Sequence, residues 1–220
     1  ENTPLGPRTL RTAMADYPNV FRALAEGMTS LEGLASFTES AVAVTRPQPR
    51  SLQAAFVSPN YFDVLGIQPE VGRTFAPDEG RAESAVAIIG HALWTREFGR
   101  DPSVVGRSIQ VGRRSFQIIG VAPRGFAGTS QNPVEEGVEI WLPIALVDVV
   151  GDPSSFGDGM IYLDQRPGER AIRYVGRMRD GVRVARVEAE LGVIARRDMF
   201  GDIPAERVKV EVSGVSRLDH

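Results

Sequence analysis

Residues 55–126 constrain the fold of this chain more than any other part of it. Apolar runs of strand length and of helix length alternate there with short connections, and the boundaries are marked by glycine, proline or a capping residue. The AAFV run closes a strand. In SPNYFDVLG, Ser58 suits the capping position of a helix, Pro59 its first position, Phe62 and Leu65 its inner face, and Gly66 its end. Residues 85–89 read as a buried strand ended by Gly90, and 91–98 as a helix carrying Leu93, Trp94 and Phe98. Residues 108–111 and 115–121 are predicted to form a hairpin around Gly112 and Arg113, with Ile109 and Val111 opposite Phe116 and Ile118. Punctuation this regular describes a packed mixed domain of helices and strands, and by itself it describes no chemistry.

The flanking segments supply more elements of the same kind. Residues 1–14 are polar and irregular, with Pro4, Gly6 and Pro7 discouraging a regular element until about Arg8. Tyr17, Phe21, Leu24, Met28 and Leu31 then recur at steps of four and three, which predicts one helix over 17–31 with Asp16 as its cap, Pro18 in its first turn and Gly33 near its end. Residues 40–45 and 51–57 read as strands joined by a turn over 46–50; Leu52, Ala54 and Phe56 point one way, Gln53, Ala55 and Val57 the other. Residues 139–142 are a further strand, and 151–168, rich in Gly, Pro, Ser and Asp, read as a long loop or hinge. Residues 173–178 form a strand, Val184, Val187, Leu191 and Ile194 line a helix, and 207–212 alternate as a last strand, a βαβ-like unit. The helices near 17–31 and 184–194 each carry a single apolar stripe. They are expected to cover one lobe, with the Gly112 hairpin in the other.

Composition bounds the chemistry. With 220 residues, 42% of them hydrophobic, the chain can bury a full core. A net charge of -3, with both signs spread along the chain, offers no basic face, so no nucleic-acid partner is expected. Zero Cys excludes disulfides and thiolate metal sites. His91 and His220 are isolated, and His91, just after a strand-ending glycine, suits a capping or partly buried role. No HExxH or GxSxG pattern appears. Gly120 and Gly125 have the spacing that opens a phosphate loop, yet Phe126 and Ala127 stand where Lys and Ser or Thr are required. The paired acids Asp78–Glu79 and Glu135–Glu136 lie in polar connections and read as solvated surface. No catalytic, cofactor-binding or metal-ligating residue is therefore assigned. Arg113 and Arg114, at the hairpin tip, are the candidate partner-contact residues.

No run approaches the ~20 apolar residues of a membrane span. Beginning at Glu1 and ending at His220, the chain reads like a segment of something longer.

VSPNYFDVLGIQPEVGRTF, AVAIIGHALWTREFG, DPSVVGRSIQV and FQIIGVAPRGFAG, followed by EIWLPI and YVGRM, resemble in order the extracytoplasmic core domain of MacB-like, FtsX-like ABC transporter permeases. The wording is closest to the orphan permeases with a duplicated permease unit, and the likeness runs from about Tyr17 to Val212. The resemblance implies an α+β fold in two lobes. One is a porter-like lobe of βαβ units drawn from both ends of the chain, at 8–84 and 169–213. The other is an inserted β-rich, Sabre-like lobe at 85–168. It also implies a parent protein in the cell inner membrane, dimeric at full length, with this domain on the periplasmic or extracellular side. Its ABC ATPase would act from the cytoplasm, and a periplasmic adaptor, a lipoprotein or a cell-wall hydrolase would be the outer partner.

The resemblance implies a non-catalytic module that transmits movement and binds a partner. The alternative is a free-standing soluble enzyme or ligand-binding protein with its site between the lobes. On the first reading the purified chain holds no stoichiometric metal and neither binds nor hydrolyses ATP. Elemental analysis after dialysis checks this, and one transition metal per chain would contradict it.

Overall fold

The computed structural model describes residues 8–13, 17–46, 48–129, 137–150, 171–195, 197 and 212–214. Among these, ten strands join one hydrogen-bonded sheet and the class is α+β. Its spine is β2 (Leu31–Arg46), a strand of 16 residues. The apolar stripe through Leu31 does not stay helical: α1 covers Tyr17–Gly27, the chain turns at Thr29 and Ser30, and Leu31 and Gly33 already belong to β2. Gly27 stops the helix where a Cβ would stand 2.7 Å from Ile194, and Gly33 lets Val64 approach β2 to within 3.0 Å of that position. The expected cap, Asp16, lies outside the described residues.

Two interleaved units occupy the first half of β2. Strand β1 (Arg8–Ala13), in a segment read as irregular up to Met14, pairs antiparallel with β9 (Ala171–Met178), as does β2 over 31–37. On its other edge β1 pairs with β10 (Val212–Gly214), where the final strand was expected at 207–212, mostly outside the described residues. The resulting order β10-β1-β9-β2 places β9 between β1 and β2, and β1 between β9 and β10. Each strand–helix–strand unit is thus split by a strand of the other. Helices α1 and α5 (Val184–Ile194) pack together on one face through Val20 and Leu24 on the first, with Met28 just after its end, and Val187, Leu191 and Ile194 on the second. Of the stripes read from sequence, Leu24 and Met28 on one side and Val187, Leu191 and Ile194 on the other are buried, Phe21, Leu31 and Val184 are partly buried, and the buried Val20 was not among them; the two helices meet as expected.

The second half of β2 enters a closed ring. It pairs with β3 (Arg50–Val57), β3 with β8 (Ile140–Pro143), β8 with β5 (Val86–Ile89), β5 with β7 (Arg114–Val121), β7 with β6 (Ser108–Val111), and β6 again with β2 through Val44 and Arg46. This is a small barrel. Ile109, Val111, Phe116 and Ile118 are fully buried inside it, while Ser108, Ser115 and Gln117 face out. The hairpin register pairs Ile109 with Phe116 and Val111 with Arg114, not with Ile118. The two-residue turn at Gly112 and Arg113 fixes that offset, and Ile118 instead donates its N–H to the Arg107 carbonyl at 2.8 Å. Helix α3 (His91–Phe98) contributes Leu93, Trp94 and Phe98 to the same buried cluster.

Alternation along the strands separates two cores. Leu34, Val42, Leu52, Ala54, Phe56 and Tyr174 join the cluster under α1, α3 and α5. Ala35, Phe37, Ala55, Val57, Trp141 and Val175 join the one under α2 (Tyr61–Leu65). Ser58 does not cap that helix. The N-cap is Asn60, without a side-chain bond, because both the Ser58 and Asn60 side chains are turned toward β2. Gly66 ends α2 in the left-handed region as expected, at φ 72°. The segment 151–168, read as a long loop or hinge, lies outside the described residues.

The turn between α1 and β2 is clamped from α5. Glu190 accepts from Thr29 Oγ1 at 2.8 Å and from the Ser30 N–H at 2.9 Å, with Arg186 Nε at 3.2 Å. Burial alone would raise its carboxyl, but the bonds from Ser30, Thr29 and Arg186 outweigh that and hold it at about 2 against an ordinary 4.5. A depressed carboxylate stabilises the fold fully above its unfolded pKa, and the contribution is lost as pH falls toward the folded one. Glu190→Gln should therefore cost about 1–3 kcal/mol at neutral pH, since the charged acceptor of the bonds from Thr29, Ser30 and Arg186 is removed. The gap from the parent chain should close between pH 4.5 and pH 2. Denaturant unfolding at a series of pH values checks this, and a gap independent of pH would contradict it.

Candidate functional site

The hairpin tip was the one place the sequence nominated for contact with a partner. Gly112, at φ 57°, makes the turn that a β-carbon would strain, and its N–H reaches the Ala43 carbonyl of β2 at 2.6 Å. Arg113 follows and is exposed. Arg114 is committed elsewhere: its guanidinium donates to the Glu83 carbonyl at 3.0 Å and lies 5.8 Å over the Phe116 ring. The two arginines are adjacent in sequence but do not act as a pair, and Arg113 alone projects from the tip.

Of the other residues singled out from sequence, His91, Glu79, Gly120 and Gly125 have structural roles, and His220 lies outside the described residues. His91 opens α3 with its ring edge-on to Trp94, and Nε2 lies 3.7 Å from Glu70. Arg100, held at φ 59°, reaches the same carboxylate at 3.6 Å and stacks over Trp94. Glu79, read as surface, forms a bidentate pair with Arg73 at 2.7 Å and also accepts from the Ala76 N–H. The Arg73 hydrogen bond lowers its carboxyl, and the pair closes the turn at Pro77–Gly80. Asp78 is exposed, and Glu135 and Glu136 lie outside the described residues. A β-carbon on Gly120 would run into the Arg73 carbonyl, and Gly125 sits at φ 85° in a turn. Close approach of strands accounts for the first glycine and turn geometry for the second. Among the described residues, no group of three or more His, Asp or Glu could hold a metal ion.

Charged groups that sequence reasoning did not single out tie the elements together. Arg50 of β3 meets Glu97 at 2.9 Å, and Arg96 joins both Glu97 and Glu139, at 3.2 and 2.7 Å, so α3 is strapped to the barrel. On β9, Arg173 reaches Glu39 of β2 at 2.8 Å across the face of Phe37, and Arg177 Nε donates to the Val64 carbonyl at the end of α2. The fully buried Tyr61 hydroxyl meets Thr129 at 3.1 Å, and burial pushes its phenol well above the ordinary range. The signal for the β9 pair was present in IRYVGRM. Two arginines four apart share a face of an otherwise buried strand, and such charges need partners.

Comparison with known proteins places this arrangement. The family model described as MacB-like periplasmic core domain matches residues 6–194. The macrolide export ATP-binding/permease protein MacB of Chlorobaculum tepidum is 33% identical over 87 residues, which is 39% of this chain but 13% of that protein. The crystal structure of the periplasmic region of MacB from Actinobacillus actinomycetemcomitans superposes with a TM-score of 0.64 at 12% identity, covering 96% of this chain and 90% of that one. The extracellular domain of the noncanonic ABC-type transporter YknZ from Gram-positive bacteria gives 0.59 at 14% identity, covering 95% and 99%. At such identities the two structures show a shared fold, while the family model covers most of the sequence. The chain belongs to the MacB-like periplasmic core domain family.

Proposed function

We propose that this chain is the extracytoplasmic domain of an ABC transporter permease, without catalytic chemistry of its own. It passes on movement driven by ATP hydrolysis on the cytoplasmic side and meets a partner or substrate outside the membrane. The observation that carries the reading is the family match over residues 6–194, supported by a fold shared along nearly the whole chain with the periplasmic region of MacB. The parent protein would sit in the cell inner membrane with this domain on its periplasmic or extracellular side. An ATPase subunit or domain would act through the permease. An adaptor, a lipoprotein or a cell-wall hydrolase would be the outer partner, and Arg113 is the contact residue we propose for it.

The division into lobes belongs to the same proposal. The porter-like lobe would comprise 8–84 and 169–213, and the Sabre-like lobe 85–168. The split βαβ topology at the chain ends and the ring of strands in the middle support it, with β2 and β3 shared by hydrogen bonding between the two. Both ends then leave from the same lobe, as an insertion between two membrane helices requires.

The decisive test is the parent reading frame with a topology reporter. About 20 apolar residues should flank this segment on each side, and a phosphatase fused within it should be active only outside the cytoplasmic membrane. A parent with no such flanks, or a reporter active only in the cytoplasm, would contradict the proposal.

A further inference from the structure

The two halves of the sheet meet in the middle of β2, and its two faces there are unlike. On one, Ser36, Thr38 and Ser40 are buried where the neighbouring rows carry Leu34 and Val42. A row of small polar side chains offers little apolar packing to hold an angle. The other face is crossed by α2 and the bend before it. Strand β3 makes its last pair with β2 at Phe37 and Val57, and the chain then continues the ladder with side chains. The Ser58 N–H donates to the Ser36 carbonyl at 2.9 Å, Ser58 Oγ accepts from the Ser36 N–H at 3.0 Å, and Asn60 Nδ2 donates to the Leu34 carbonyl at 2.8 Å. Ser58 Oγ in turn donates to Asn60 Oδ1 at 2.8 Å, which fixes both side chains. The bend thereby grips the part of β2 that pairs with β9.

Helix α2 is anchored at both ends to different halves. Tyr61 meets Thr129 beyond β7, and Phe62 packs on Phe126 and Trp141, at ring separations of 5.7 and 5.6 Å, outside the barrel. At the other end the Val64 carbonyl accepts from Arg177 of β9 at 2.9 Å. The same guanidinium lies 2.7 Å from where a β-carbon on Gly66 would stand, over the carbonyl end of the helix. We propose that α2, with the Ser58-Pro59-Asn60 bend and Arg177, is a splint that fixes the angle between the split βαβ half and the barrel, so that the two move as one body. Stiffness of this kind is a property of the chain whether or not it is part of a permease.

The chain has no cysteine, so introduced pairs label cleanly. Spin labels at Glu26→Cys on α1 and Arg113→Cys at the hairpin tip, both exposed, report the angle as a distance distribution by pulsed electron paramagnetic resonance. The parent pair should give one narrow distribution. Arg177→Ala and Asn60→Ala should each broaden it about twofold or more while far-ultraviolet circular dichroism stays unchanged. Glu97→Gln, which loosens a strap within the barrel half only, should leave the width as it was. If Asn60→Ala unfolds, Arg177→Ala decides alone, since Arg177 lies partly exposed at the rim. A broad distribution in the parent pair, or a width unchanged by Arg177→Ala, would overturn the proposal.

Discussion

Everything in this structure hangs from the backbone hydrogen bonding of β2. A strand of 16 residues is long for a globular domain, and its length serves two halves of one sheet in succession. Its first residues are paired by β9, its middle and end by β3, and its last residues also by β6. Since side chains alternate along it, one strand contributes Leu34 and Val42 to the core beneath the long helices and Ala35 and Phe37 to the core beneath α2. A shift of one residue in its register would exchange these sets. The barrel and the split βαβ half are therefore specified together.

Around that spine, polar groups act as fasteners where apolar packing changes hands. Glu190 and Arg179 hold the turn that launches β2, the glutamate from α5 and the arginine by its bond to the Thr29 carbonyl at 3.0 Å. Ser58 and Asn60 replace ladder partners where β3 departs. Arg173, in the last register pair between β9 and β2, reaches Glu39 just beyond it, and the two are one-tenth to one-fifth exposed, which keeps a charge pair from being stranded in a core. None of these groups has the arrangement of a reaction centre. The first pair sits where β2 begins and the others where its strand partner changes, and each satisfies a backbone group or a charge.

How far this was legible in the sequence depended on whether local or distant partners define the element. Helix α3, with its range 91–98 and the Gly90 boundary before it, was readable because a stop signal and apolar spacing coincide there. So were the faces of β3, where strict alternation has no competing pattern. The helix at Tyr17 was read too long because Met28 and Leu31 keep helical spacing by chance, while Gly27 and the Glu190 clamp end it through contacts from α5. Strand β1 was missed altogether. RTLRTA has little apolar alternation, and its pairing is set by β9 and β10 from the far end of the chain. Ser58 looks like a helix cap in one dimension and is a ladder substitute in three. The closure of the barrel through β6 and β2 has no sequence signal, since it depends on a pairing between residues 44–46 and 110–111. At the tip, the sequence found Arg113 and Arg114 but not that Arg114 folds back on Glu83.

Family membership and architecture agree on what such a chain is built to be: a continuous sheet with both described terminal strands, β1 and β10, at one end and a closed barrel at the other. If the chain passes on movement as proposed, β2 must not open separately from the rest. Native-state amide exchange along β2 tests this most directly. The account predicts that the amides from Leu34 to Val44 rank among the slowest and exchange only through global unfolding, with the denaturant dependence of the whole chain. Exchange of those amides through a partial opening that leaves α1 and α5 protected would contradict it.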